Sequence, residues 1–220
     1  MSASDPAESN ETVRETAARD ALVAAARHLA AAGLSPGSSG NLSMRVGPRI
    51  IATPTGSALR TVTAADLAIT PAADADAPRP TKELPLHAAM YAAQPDAQAV
   101  IHMHSPYATA LACLPPGPGG FAALPAHTPY RVMRLGDVPL VPYAAPGTAE
   151  LAAGVAAHAP GHPVLLLANH GPIVAAASLE AAIDLAEELE TAAQLTLLLR
   201  QTPAVPLTDA AVAVLRPPGR

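Results

Sequence analysis

At 220 residues the chain is long enough for one substantial hydrophobic core and does not require a second domain. Its net charge of −5, with 13 Lys and Arg and no basic run, argues against nucleic-acid binding, and its single cysteine, Cys113, excludes an internal disulfide and fits a reducing compartment. The polar, acidic N-terminus is not a signal peptide and no apolar run is long enough for a bilayer, so we expect a soluble cytoplasmic protein.

The first half of the sequence predicts a disordered tail, a helix and a β-hairpin. Residues 1–10 are polar, residues 11–32 are helix-forming, and a turn-rich loop over 35–41 leads into strands over 42–46 and 49–52. The Pro- and Ala-rich stretch 71–81 is typical of a surface loop.

The second half alternates helices and strands. We predict helices over 83–93, from Ser105 onward, over 148–158 and over 178–200, and strands over 99–104, 138–143, 163–168 and 172–176. Strands and helices without a repeating βαβ rhythm predict one α/β domain with a mixed or antiparallel sheet. That domain would span 11–201, followed by a Pro-rich tail over 202–220.

A pair of histidines marks the end of the predicted strand 99–104. His102 and His104 are one residue apart, so on a strand their side chains point to the same face. Two buried imidazoles side by side would be costly without a partner, which favours a divalent metal such as zinc. His170, between Asn and Gly at a strand end, is a third candidate ligand, and Glu83 or His87 could add another.

Plainer interpretations exist for several of these residues. Glu83 at a helix start could simply stabilise the helix dipole. The other isolated histidines are expected to be satisfied side chains without metal: His28, His127, His158 and His162. A cupin site is excluded, because the glutamate that should follow the second histidine by about four residues is Ala108.

Two hydroxyl- and glycine-containing turns and a Thr-Lys pair at a predicted helix start indicate a phosphate site. They are the segments 38–41, 53–56 and 81–82, whose exposed N–H groups, hydroxyls and single lysine can cradle an anion. Each alone is typical of an ordinary turn or cap, but together with a metal site they favour a phosphorylated small-molecule substrate.

In this order and spacing, five segments resemble the class II aldolase/adducin-like family. They are GSSGNLS at 37–43, TPTG at 53–56, TKELPLH at 81–87, AVIHMHS at 99–105 and ANHGPIV at 168–174, within a resemblance that covers 15–200. The resemblance implies a three-layer α/β/α sandwich with a central, mostly antiparallel sheet, and a homotetramer whose site lies between subunits. It also implies zinc bound by His102, His104 and His170, with Glu83 as a ligand or acid/base. The phosphate pocket that it implies is formed by Asn41, Thr55, Gly56, Thr81 and Lys82.

Within the family, the stretches 80–83 and 128–143 are most similar to 3-oxo-tetronate 4-phosphate decarboxylases, and the C-terminal tail lacks a tyrosine that aldolases carry. This similarity implies loss of CO2 through a metal-stabilised enediolate to give dihydroxyacetone phosphate, with zinc, manganese or cobalt as the ion. Tyr130 would donate a proton from a neighbouring subunit, and Arg134 would bind the substrate carboxylate or support the interface. The rivals are a sugar-phosphate aldolase or epimerase, similar to L-fuculose-phosphate aldolase, and a non-catalytic adducin-like binding protein.

Overall fold

The structure is a computed structural model that describes residues 6–72 and 76–216, with the backbone alone for residues 6–10. Its α-helices are α1 (Pro6–Ala31), α2 (Leu84–Ala93), α3 (Pro106–Ala112), α4 (Ala149–His158), α5 (Leu179–Leu199) and α6 (Asp209–Leu215). Its strands are β1 (Asn41–Val46), β2 (Arg49–Ala52), β3 (Ala68–Thr70), β4 (Ala99–His102), β5 (Leu140–Val141), β6 (Val164–Leu167) and β7 (Gly171–Ala176). A 3-10 turn (Pro118–Gly120) and a π-helix (Arg131–Leu135) complete the described elements.

The strands form one sheet in the order β3-β2-β1-β4-β7-β6-β5. Every pair is antiparallel except β5 with β6. The register places Asn41 opposite His102 in β1–β4, and His102 opposite Ile173 in β4–β7. The centre of the sheet therefore brings the start of β1, the end of β4 and the start of β7 to one edge.

Helices cover both faces of the sheet, because its central strands are apolar on both sides. On one face Ile101 and Val174 pack into a core with residues of α1, α3 and α5. On the other face Val100 and Ile173 pack with residues of α2 and α4. Neighbouring strand residues thus serve opposite cores, as the two-residue period of a strand requires. The predicted three-layer α/β/α sandwich with a mostly antiparallel sheet is confirmed.

The predicted elements are found, and the bounds of several differ from those predicted. The strand predicted over 99–104 ends at His102, and the one predicted over 138–143 is reduced to Leu140–Val141. The helix predicted to begin at residue 83 begins at Leu84, with Glu83 in the preceding cap position. β3, the π-helix and α6 were not predicted, because each is too short to show a hydrophobic period.

Part of each predicted tail is helical. Helix α1 begins at Pro6, not at residue 11, and proline at a first helical turn is favourable since its missing N–H is unpaired there anyway. Residues 6–10 therefore extend the helix, while residues 1–5 of the predicted disordered tail lie outside the described residues. The predicted C-terminal tail contains α6, which Thr208 caps, and Arg216 beyond it pairs with Asp137. Residues 217–220 lie outside the described residues, and the domain limits 11–201 stay a prediction.

Within residues 6–72 and 76–216, no helix combines the length and apolar composition needed to cross a membrane.

Candidate metal centre

Three histidines meet where β4 ends and β7 begins. His102 is the last residue of β4, and His104 follows two residues later. His170 ends the tight turn before β7, in which Asn169 adopts a positive φ of 55° that asparagine tolerates better than most residues. Because β4 and β7 are antiparallel neighbours, this turn lies beside the histidine pair.

The three imidazoles are arranged edge to face around a common point. Their ring centroids are 5.1 Å apart for His102–His104, 4.8 Å for His102–His170 and 4.9 Å for His104–His170. One ring nitrogen from each lies within 4.8 Å of the others. His102 Nδ1 donates to the carbonyl oxygen of Pro172 at 2.8 Å, so its Nε2 carries the lone pair that faces the group.

The Glu83 carboxylate closes the fourth side of this group. Its Oε2 lies 3.5 Å from His102 Nε2, and its Oε1 lies 3.4 Å from His170 Nε2. The Asn41 side-chain amide donates to Oε2 at 2.9 Å, and the side chain of Glu83 makes no capping hydrogen bond to α2. The plainer interpretation of Glu83 as a helix-stabilising acid therefore does not describe where its carboxylate lies.

Burial sets the protonation states of the group. Burial lowers the pKa of His102 to about 4, outweighing the opposite effect of Glu83. It likewise lowers the pKa values of His104 and His170. Burial would raise the pKa of Glu83, but the charges of the histidines and the Asn41 hydrogen bond together hold that pKa below its ordinary value. Near neutral pH the group is three neutral imidazoles and one carboxylate, which is the state of metal ligands.

The donor set fits a divalent metal ion. Three imidazole nitrogens and a carboxylate present their lone pairs to one another, an arrangement that a cation between them stabilises. Among the described residues, two buried atoms of the group also lack a hydrogen-bond partner, Glu83 Oε1 and His170 Nδ1. A buried carboxylate oxygen that accepts no hydrogen bond and lies beside a histidine cluster is the arrangement expected of a metal ligand. His102, His104 and His170 could hold a metal ion.

A cavity of about 670 Å³ opens over this group. It is lined by Pro36, Ser38, Ser39, Gly40, Asn41, Pro54, Thr55, Gly56, Thr81, Lys82, Glu83, His104, Thr109, Tyr143, Pro146, Asn169 and His170. All five residues predicted to bind phosphate are among them. His102 is not among the lining residues, because it is fully buried behind them.

The predicted phosphate wall is a turn fastened to the segment before α2. The backbone N–H of Lys82 donates to Thr55 Oγ1 at 2.8 Å, and that hydroxyl donates to the carbonyl oxygen of Pro80 at 3.3 Å. Gly56 adopts a φ of 74°, which keeps the turn tight. The alkyl stem of Lys82 runs along Gly147, where an added Cβ would be 3.3 Å from Lys82 Cδ. Lys82 is the one Lys or Arg among the residues that line the cavity.

Tyr130 and Arg134 lie away from the cavity of their own chain. Tyr130 is 61% exposed at the start of the π-helix. Arg134 lies 4.0 Å from Asp184 of α5 and lines a separate cavity of about 400 Å³. Within one chain Arg134 is therefore not placed to bind a substrate carboxylate, because the π-helix that carries it packs on α5. Roles for both residues across a subunit interface stay predictions.

The structure also adds residues that the sequence reasoning missed or misjudged. Tyr143 lines the cavity from the loop after β5, and no periodic signal marks it. His87, considered as a metal ligand, instead contacts Asn41 and Ser43. It is not part of the candidate metal group, by which we mean His102, His104, His170 and Glu83. The spacing of Glu83, His87 and Tyr91 by four residues would have indicated one helix face.

The chain matches the model of the Class II Aldolase and Adducin N-terminal domain family over residues 20–197. It is 42% identical to the 3-oxo-tetronate 4-phosphate decarboxylase of Escherichia coli K12 over 188 residues, covering 84% of this chain and 88% of that one. It is 38% identical to the 5-methylthioribulose-1-phosphate/5-deoxyribulose-1-phosphate aldolase of Rhodospirillum rubrum, covering 81% and 79%. The crystal structure of YgbL from Klebsiella pneumoniae superposes with a TM-score of 0.86 at 38% identity, covering 92% and 99%.

Proposed function

The chain belongs to the class II aldolase and adducin family, and from this premise we propose that it is a metal-dependent decarboxylase. Its substrate would be a 3-oxo-tetronate 4-phosphate, and its products CO2 and dihydroxyacetone phosphate. The observation that carries the proposal is the convergence of His102, His104, His170 and Glu83 beneath a cavity whose wall holds Lys82. The identity of the substrate is supported by the decarboxylase that is 42% identical to this chain.

The three histidines would hold the divalent ion through their Nε2 atoms, with Glu83 as the fourth ligand of the resting site. Zinc is the first candidate, because three imidazoles and a carboxylate suit it, and manganese and cobalt are the alternatives. A bound ion would supply Lewis-acid stabilisation of the negative charge that develops on the substrate oxygens.

The phosphate would bind at the wall formed by the Thr55–Gly56 turn and the segment before α2. The Thr81 hydroxyl, the Thr55 hydroxyl turned from the Pro80 carbonyl to the phosphate, backbone N–H groups and the Lys82 ammonium would together match the acceptors of a phosphate. Asn41 Nδ2 uses one of its two N–H groups on Glu83, and the other is free to reach the substrate from the cavity lining. These residues would fix one end of the substrate over the metal group.

Glu83 would manage the proton of the reaction. When the bond between the carboxylate carbon and its neighbour breaks, the electron pair stays on the substrate as an enediolate and CO2 leaves without a proton. The carbon that lost CO2 must then gain one proton to give the product ketone. Glu83, ionised in the resting site, would take that proton from water and deliver it to the carbon.

Assembly and location complete the proposal. A homotetramer would bring two exposed side chains of a neighbouring subunit to the site. They are Tyr130, as the alternative donor of the one proton that the carbon gains, and Arg134, near the substrate carboxylate. A cytoplasmic location also stays a prediction.

The deciding experiment offers 3-oxo-tetronate 4-phosphate to the purified protein, with and without a chelator, and follows CO2 and dihydroxyacetone phosphate. Chelator-sensitive release of both, restored by zinc, is expected. No release from metal-loaded protein would refute the decarboxylase.

The second candidate is an aldolase acting on a sugar phosphate, favoured by the aldolase that is 38% identical to this chain. Cleavage of a ketose 1-phosphate to an aldehyde, without CO2, would establish it. If the protein binds no metal and turns over neither substrate, the result would support the alternative of a non-catalytic, adducin-like binding protein.

A further inference from the structure

A continuous chain of buried hydrogen bonds runs behind Glu83, away from the cavity. Tyr91 Oη lies 2.9 Å from Ser43 Oγ, and Ser43 Oγ lies 2.8 Å from His87 Nδ1. His87 Nε2 lies 2.5 Å from Asn41 Oδ1, and the Asn41 amide nitrogen lies 2.9 Å from Glu83 Oε2. The other residues of this hydrogen-bonded series are not members of the metal group. They are Asn41, Ser43, His87 and Tyr91.

Strand β1 and helix α2 position the residues of this hydrogen-bonded series. Asn41 and Ser43 are two residues apart on β1 and therefore point to the same face. His87 and Tyr91 are one turn apart on α2, four and eight residues after Glu83. No member is more than 6% exposed, and Ser43 and His87 have no exposed surface. Bulk water therefore does not compete for these hydrogen bonds.

The chemistry of each group fixes the direction of every hydrogen bond. An ionised carboxylate only accepts, so Asn41 must turn its N–H2 toward Glu83 and its carbonyl oxygen toward His87. His87 then carries its proton on Nε2 and accepts at Nδ1 from the Ser43 hydroxyl. The Ser43 oxygen in turn accepts from the Tyr91 phenol. Each donor thus points toward Glu83, an arrangement in which successive hydrogen bonds polarise one another.

The chain keeps this arrangement across the physiological pH range. Burial lowers the pKa of His87 to about 3, so the ring stays neutral. Burial also raises the pKa of Tyr91 to about 12, so the phenol keeps its proton.

We propose that His87, supported by Ser43 and Tyr91, is a positioning residue that locks the Asn41 amide in the orientation that holds Glu83 between His102 and His170. The inference rests on the role proposed above for Glu83. Without a donor at the Nε2 position, the buried Asn41 carbonyl oxygen would lose its partner, and the amide would no longer be held in one rotamer. The hydrogen bond from Asn41 to Glu83 Oε2 would then weaken, and Glu83 would be held less firmly between His102 and His170.

Two substitutions separate the donor from the volume of the side chain. His87→Gln keeps an N–H2 group near the position of Nε2, whereas His87→Met keeps a similar volume without a donor. Losing a partner of a metal ligand typically weakens metal affinity or activity by about 10–100-fold. We expect His87→Met to weaken zinc binding and to lower turnover by such factors, and His87→Gln to restore most of both. Equal losses in the two variants, or no loss in His87→Met, would overturn the proposal.

A spectroscopic readout tests the chain directly. In protein with nitrogen-15 labelled histidines, the His87 signals are identified by their absence in His87→Gln. We expect a neutral ring with its proton on Nε2 that does not titrate between about pH 6 and pH 8. A proton on Nδ1, or titration in that interval, would contradict the assigned direction.

A second variant keeps the test open if His87→Met does not fold. Ser43→Ala removes the donor to His87 Nδ1, and we expect altered His87 ring signals together with weaker zinc binding. Unchanged signals and unchanged zinc affinity would overturn the supporting role of Ser43.

The zinc and spectroscopic readouts need no substrate, so the two proposals can fail separately. Suppose that the wild-type protein shows His87 neutral with its proton on Nε2 and that the variants show the expected zinc affinities, but that no CO2 is released. Only the decarboxylase proposal then fails. If the wild-type protein releases CO2 and His87→Met binds zinc as tightly as wild type, only the positioning proposal fails.

Discussion

Gly171 lies directly against the backbone of Met103, so closely that an added Cβ would overlap the Met103 carbonyl oxygen and lie 3.3 Å from the carbonyl carbon. Met103 separates the two histidines His102 and His104, and its backbone N–H donates to Pro172 at 3.1 Å. The glycine after His170 thus allows β7 to approach the segment that carries the other two histidines. Its φ is not positive, so close approach alone requires glycine here.

Replacing this glycine should damage both the fold and the metal group. In Gly171→Ala the methyl group must push the Met103 carbonyl aside, and overpacking of this kind costs about 1–3 kcal/mol. We expect a lower free energy of unfolding in denaturant and weaker zinc binding. Gly117→Ala is the matched comparison, since an added Cβ at Gly117 would make ordinary contacts of 3.5 Å or more. Equal stability and zinc affinity in the two variants would show that the backbones move apart freely.

Glu190 of α5 is expected to stabilise the segment that follows His104. Both of its carboxylate oxygens accept backbone N–H groups at the start of α3, from Tyr107 and Ala108, each at 2.8 Å. Glu190→Gln replaces one buried acceptor with a donor that faces an N–H group, which costs about 1–3 kcal/mol. The measurement is the free energy of unfolding, with the exposed Asp20→Asn on α1 as the comparison. A loss no larger than that of Asp20→Asn would contradict this role.

The sequence predicted much of the clustering of His102, His104 and His170, because strand alternation is a local rule. His102 and His104 lie on one side although the strand ends between them, and the antiparallel order of β4 and β7 brings His170 alongside. Tyr143 and Arg134 could not be placed in this way. Tyr143 lines the cavity from a loop, and Arg134 lies on the π-helix beside Asp184 of α5. Tertiary packing alone therefore decides where both side chains lie.

His87 illustrates a different limit of sequence reasoning. Its position four residues after Glu83 predicts the same helix face, and both side chains are indeed buried there. Which of the two points into the metal group depends on the partners that β1 supplies. Ser43 and Asn41 satisfy both ring nitrogens of His87, so only Glu83 remains to face the histidines.

Acid should destabilise the metal-free protein through His87. Burial lowers the pKa of this residue to about 3 in the folded chain from an ordinary value of 6.5. Between those values the unfolded state binds a proton that the folded state does not, so stability rises with pH and is lost as pH falls from about 6.5 toward 3. One such group contributes a slope of up to about 1.4 kcal/mol per pH unit. His87→Gln should show a correspondingly shallower slope than wild type in denaturant titrations between about pH 4 and pH 6 with chelator present. Parallel slopes would mean that His87 titrates alike in both states.

Glu83→Gln should abolish turnover while the fold remains. The amide keeps the size of the carboxylate but loses its charge and its ability to carry the proton, and general acid–base groups contribute about 10²–10⁴-fold to rate. Zinc binding should also weaken, because an anionic ligand becomes neutral. Turnover of the decarboxylation substrate and zinc titration are the measurements, and Glu150→Gln in the first turn of α4 is the exposed comparison. Turnover within tenfold of wild type would remove Glu83 from the mechanism.

Lys82 is the only lysine in the chain, which allows its predicted contact with phosphate to be tested by amine labelling. A charge-assisted hydrogen bond is worth about 1.5–3 kcal/mol, so Lys82→Met should raise KM by about 10–100-fold. kcat should change little, because the phosphate end of the substrate does not react. Inorganic phosphate alone should slow acylation of the Lys82 amine, measured by the mass of its peptide, while the N-terminal amine of the same molecule reports the unprotected rate. If phosphate does not slow the labelling of Lys82 relative to the N-terminal amine, and KM is unchanged in Lys82→Met, the phosphate binds elsewhere in the cavity.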